Sequence, residues 1–102
     1  MSAKEFFDTL ETRVDPAKTA GMNNSYVFDI EGAGKWKVDV RDGAVKVAEG
    51  AEDGDVTITT SEETFEKITS GEQNATSAYM TGKLKVKGDM GAAMKLQKLF
   101  PS

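Results

Sequence analysis

Neither cysteine nor histidine occurs among the 102 residues of this chain. Without cysteine there is no disulfide framework, no thiol nucleophile and no thiolate metal site. Without histidine the usual general base and the commonest metal ligand are missing. No apolar run approaches the ~18 residues of a membrane-spanning helix. The segment from Met1 to Glu11 carries acids where a secretory leader needs a hydrophobic region. These absences point to a soluble intracellular domain with little equipment for catalysis.

What is present suits a single domain, residues 1–102. A chain of this size buries roughly 60–70% of its unfolded surface, enough for one core. The net charge of −4 hides an asymmetry. Residues 1–79 carry 8 Lys/Arg against 16 Asp/Glu, whereas residues 80–102 carry 5 Lys against 1 Asp. The basic end lacks arginine and interleaved aromatics, which argues against nucleic acid as a partner.

Alternation and turn residues lay out the order of elements. Phe6, Phe7, Leu10 and Val14 follow one another at helical spacing, predicting a helix over about residues 3–14. Tyr26, Phe28 and Ile30 alternate with Val27, Asp29 and Glu31, and Trp36, Val38 and Val40 with charged residues, and Asp42-Gly43 is a two-residue hairpin signal before Ala44–Ala48. After a polar stretch, Asp55–Thr60 reads as a fourth strand. Helical segments carrying Phe65, Ile68, Ala78 and Tyr79 follow, with either Thr60 and Glu63 or Ser61 and Thr64 as the cap. The pattern is α+β: a single five-stranded, mostly antiparallel sheet with helices packed on one face.

The stretch Ala78–Leu99 is the most informative. Gly82 suits a left-handed helix cap, and Lys83 to Lys87 alternate so that Leu84 and Val86 face one side and three lysines the other. Asp89 is a fitting N-cap for a helix running to about Phe100. At ~100° per residue, its apolar residues cover roughly 220°, more than the ~100° stripe a surface helix needs. The excess must meet another element, a partner or a ligand.

The run GKLKVKGDMGAAMKLQKL resembles the C-terminal signature of the sterol carrier protein 2 (nonspecific lipid-transfer) family. Gly34–Val40 resembles that family's strand around a tryptophan. Asp55–Thr59, followed by Phe65 and Gly71–Asn74, resembles its fourth strand and following helix. The resemblance spans about residues 26–99. It implies a non-enzymatic carrier that holds a fatty acid, acyl-CoA, sterol or phospholipid in a hydrophobic tunnel, with no cofactor and no metal. The wall it implies comprises Ile30, Trp36, Val38, Phe65, Ile68, Met80, Leu84, Val86, Met90, Ala93, Met94 and Gln97. Trp36 and the methionines have core packing as their ordinary alternative, and Gln97 reads equally as an outward residue at the rim or as the tunnel's hydrogen-bonding group.

Lys83, Lys85, Lys87, Lys95 and Lys98 read most simply as solvated surface. They could also attract an anionic membrane or the phosphates of an acyl-CoA. The acid pairs Glu62-Glu63 and Glu52-Asp53 lack any accompanying base or nucleophile, so they read as helix-dipole and loop residues. No Ser-Lys-Leu-type peroxisomal tail ends the sequence, and a cytoplasmic monomer is expected. The rival reading is an interaction module whose apolar helix packs on a protein partner or in a dimer.

Overall fold

In the computed structural model, residues 3–13, 16–50 and 54–95 are described. The order is α1 (Ala3–Arg13), α2 (Pro16–Thr19), β1 (Asn23–Glu31), β2 (Gly34–Arg41), β3 (Ala44–Glu49) and β4 (Val56–Ser61). Then come α3 (Glu62–Ser70), α4 (Ala75–Met80), β5 (Leu84–Gly88) and α5 (Met90–Met94). One five-stranded sheet runs β3-β2-β1-β4-β5. Its neighbours are antiparallel except for β1 and β4, which run parallel. The sheet is thus mostly antiparallel, as the strand pattern predicts.

Local chemistry sets the connections. Asp42 and Gly43 both take positive φ, 50° and 83°, which matches the twist of the two strands they join. Of the two caps open for α3, the structure uses Ser61, whose hydroxyl accepts from the Thr64 backbone N–H at 3.2 Å. The helix thereby satisfies one of its orphan donors at little entropic cost.

The sheet has one packed face. Tyr26, Phe28 and Ile30 of β1 sit opposite Val38, Trp36 and Gly34 of β2, and beside Val56, Ile58 and Thr60 of β4. All but Gly34 are buried. The alternate residues, among them Lys35, Lys37, Lys85 and Lys87, fall on the other face by the two-residue strand period. α1 covers the core with Phe6, Phe7 and Leu10. The Phe7 ring stacks on Trp36 at 4.7 Å and on Phe65 at 5.3 Å, each tilted by 16°, while Phe6 meets Phe65 edge-on. α1 also guards an edge: the Glu11 carboxylate accepts from the Val47 backbone N–H of β3 at 3.1 Å.

Two buried hydroxyls are paired by the same elements. The Thr60 hydroxyl donates to the Lys83 carbonyl and the Thr19 hydroxyl to the Gly43 carbonyl, both at 2.8 Å. This packing makes a direct prediction. Phe7→Ala leaves a cavity between two rings and lowers unfolding free energy by about 3–5 kcal/mol. Met80→Ala, on an exposed side chain, stays within about 0.5 kcal/mol of the parent. Urea denaturation of the two variants checks the contrast.

Candidate functional site

The far side of the sheet from α1 is built differently. α4 ends in a Schellman turn: the Lys83 N–H donates to the Ala78 carbonyl at 2.9 Å and the Gly82 N–H to the Tyr79 carbonyl at 3.2 Å. Gly82 takes φ +80° there, as its position after a helical run predicts. β5 then pairs with β4, bringing Leu84 beside Thr60 and Val86 beside Ile58. At Gly88 (φ +120°) the chain turns up into α5. A Cβ at that position would collide with the Asp55 carbonyl oxygen, so close backbone approach requires glycine.

α5 is held by polar contacts and small side chains. Asp89 caps it, as expected: Oδ1 accepts from the N–H groups of Gly91 and Ala92 at 2.9 and 3.2 Å. The Asp89 N–H itself donates to the Asp55 carbonyl at 3.0 Å. From the sheet, the buried Tyr26 hydroxyl donates to the Ala92 carbonyl at 2.6 Å. Ala92 is buried and Ala93 packs against the core at its margin. Met90 and Met94 of the same helix point outward, 47% and 78% exposed. On α4, Tyr79 and Met80 are 44% and 79% exposed. These four are the large apolar side chains left exposed among the described residues.

The residues expected to line a tunnel therefore fall into three sets. Ile30, Trp36, Val38, Phe65, Ile68 and Leu84 are buried core, and Trp36 and Phe65 are in contact with the Phe7 ring. Val86 and Ala93 lie at the core margin. Met80, Met90 and Met94 are exposed on the helices that touch β5. Gln97 and Lys98, with the rest of the helix expected beyond Lys95, lie outside the described residues. The lysines separate too: Lys85 and Lys87 lie across the sheet from the core, whereas Lys95 follows α5 on the helix side. Lys83 is exposed at the entry to β5.

Tyr26 is the residue that strand alternation alone passes over. It reads as one more inward aromatic, but a phenol with no access to water needs a hydrogen-bond partner, and that requirement was the available signal. Phe6 and Phe7 are legible as a buried helix face, though not as the rings that fill the space between Trp36 and Phe65. Among the described residues, no group of three or more carboxylates, imidazoles or thiols could hold a metal ion, and no helix is long and apolar enough to cross a membrane.

The model of the SCP-2 sterol transfer family matches residues 4–101. The chain belongs to this family. Within it, hydroxysteroid dehydrogenase-like protein 2 of Danio rerio is 34% identical over 100 residues, covering 94% of this chain and 24% of the relative. Peroxisomal multifunctional enzyme A of Dictyostelium discoideum is 36% identical over 108 residues, 97% of this chain and 24% of that protein. The chain thus spans about a quarter of the length of these curated relatives. The solution structure of palmitated SCP2L2 from Aedes aegypti superposes with a TM-score of 0.80 at 26% identity, covering 97% of this chain and 94% of that one. The fold is that of the SCP-2 family throughout.

In this SCP-2 domain the Tyr26 phenol is pushed up to about 12, first by burial and then by the nearby carboxylates of Asp55 and Asp89. An unfolded tyrosine ionises near ~10. Between these values the folded chain keeps a proton that the unfolded chain loses, so stability is full below pH ~10 and falls as pH rises toward 12. Tyr26→Phe loses the hydrogen bond, a cost of about 1 kcal/mol near neutrality, but with no phenol to ionise it is spared the alkaline loss of stability. Chemical denaturation at pH 8, 10 and 11 measures it. The stability gap between parent and variant narrows as pH rises.

Proposed function

We propose that the chain is a non-enzymatic lipid carrier that holds an acyl chain between β5 and the helices α4 and α5. The observation that carries this reading is the placement of every exposed large apolar side chain of the described residues on those two helices. Membership of the SCP-2 family and the likeness to a palmitated relative support it. The opposite end of the core is filled by the Phe7, Trp36 and Phe65 rings, so the proposed site shortens to the β5 side, with Leu84, Val86 and Ala93 as floor and Met80, Met90 and Met94 as an adaptable rim on its open side. Fatty acid, acyl-CoA, sterol and phospholipid share the apolar body such a site takes.

The mechanism is desolvation. Burying one methylene is worth about 0.8 kcal/mol, or roughly a factor of four in affinity, against the fixed cost of association. No cofactor or metal enters this reading, and the complete lack of histidine and cysteine supports a carrier over a catalyst. The curated relatives are about four times longer, and what their names say of activity is not carried over. We place the carrier in the cytoplasm as a monomer.

Exposed methionines also favour a second reading, in which α4 and α5 pack on another protein or on a second copy. Organic extraction of the purified protein followed by mass spectrometry separates the two, since co-purified lipid belongs only to the carrier. For the carrier itself, titration with saturated fatty acids of increasing length gives affinity that rises by up to a factor of about four per methylene until the site is full. Met94→Trp puts an indole where the chain would lie, so affinity drops while the melting temperature holds. A flat response to chain length, or affinity retained in Met94→Trp, sinks this placement.

A further inference from the structure

Two asparagines open β1, and the structure uses them differently. The Asn23 amide is engaged in the neighbouring turns: its oxygen accepts from the Asp42 N–H at 3.1 Å and its nitrogen donates to the Gly21 carbonyl at 3.4 Å. Asn24 falls on the opposite face, the helix-covered one that also carries Tyr26, Phe28 and Ile30. There it lies across from Val40, which is fully buried. The residue is half-buried, but its Oδ1 is closed off from solvent and accepts no hydrogen bond from the protein. It is the one side-chain atom in that condition among the described residues. Thr19, Tyr26 and Thr60, by contrast, are buried with each hydroxyl donating to a carbonyl. An unpaired buried acceptor destabilises a fold, and no turn, cap or strand pairing here offsets that cost.

We propose that Asn24 Oδ1 is the polar anchor of the lipid site, accepting a hydrogen bond from a neutral hydroxyl head such as that of a long-chain alcohol. The proposal rests on the carrier reading and names the head chemistry that its site prefers. Position supports it. β5 ends at Gly88, which lies beside Val56, and Val56 lies beside Tyr26, two residues along β1 from Asn24. The amide thus stands at the end of the sheet where β5 turns into α5. It is about 7 Å along the strand from Tyr26, whose hydroxyl ties α5 down. Across the sheet, β1 is two strand spacings from β5, or roughly 10 Å. A long chain lying along β5 reaches that far with its head. Charge supports the same choice. The carboxylates of Asp55 and Asp89 stand near enough to Tyr26 to push its phenol up, so this end of the sheet disfavours an anionic head. An ionised carboxylate also brings only acceptors, whereas a hydroxyl supplies the donor that an amide oxygen needs.

The test sets 1-dodecanol against dodecyl methyl ether, which share a chain and differ in one hydroxyl proton. Each is used to displace a fluorescent fatty acid from the full chain, stripped of lipid. The ratio of the two affinities, alcohol over ether, removes any effect on the probe. Asn24→Leu and Asn24→Ala both lower that ratio roughly fivefold, as the loss of one hydrogen bond does. Thermal melting of the stripped protein is read alongside. Because the amide oxygen has no protein partner to lose, the melting temperature of Asn24→Leu stays level or rises. Asn23→Ala breaks the turn contacts, so it lowers the melting temperature and leaves the ratio unchanged. A ratio that neither Asn24 variant alters overturns the anchor and leaves the carrier standing. A loss of stability in both Asn24 variants as large as that in Asn23→Ala does the same, since the amide would then belong to the fold. Failure of both ligands to displace the probe from the parent sinks the carrier reading, and the anchor with it.

Discussion

The stack of Phe7 between Trp36 and Phe65 is the contact on which the arrangement depends. It joins α1, β2 and α3 through one ring, and Phe6 and Phe28 close around it. Aromatic pairs of this kind add stability beyond their buried area and leave no room between them. The consequence is an asymmetric core. Beneath α1 the sheet is sealed by large rings, which is why the proposed ligand site is put toward β5.

There the packing is of another kind. α5 contributes alanines to the core, and its attachment relies on the Tyr26 hydroxyl, the Asp89 cap and the tight turn at Gly88. Among the described residues α5 makes few buried apolar contacts, a mark of low local stability. Under the proposed function, this is the segment that admits and releases the ligand. The same segment holds the exposed Met90 and Met94, and the strand leading into it bears the lysines. Packing, polarity and charge thus change together along the width of one sheet.

Much of this was legible in the sequence because it depends on local periodicity. Strand alternation identified the inward rows of β1 and β2, Asp42-Gly43 marked a hairpin, and Gly82 and Asp89 marked the ends of helices. Order across the sheet was not legible in that way. Nothing in the spacing of Asp55–Thr60 says that this strand inserts beside Tyr26 and runs parallel to it. The division of the expected tunnel residues was hidden for the same reason. Trp36 and Met80 are both simply apolar in sequence, and only the arrival of Phe7 over Trp36 makes one of them core. Lys85 and Lys95 are ten residues apart, yet the turn at Gly88 sends them to opposite sides of the sheet. The family resemblance carried the lipid reading, which composition alone could not have supplied.

The central claim is that ligand is held at the β5 side and not within the aromatic core. Amide hydrogen exchange of the stripped protein, with and without palmitate, tests it most directly. The account predicts added protection in α4, β5 and α5, with the amides around Phe7, Trp36 and Phe65 unchanged. Protection centred on α1 and β2, with α5 unaffected, would contradict it.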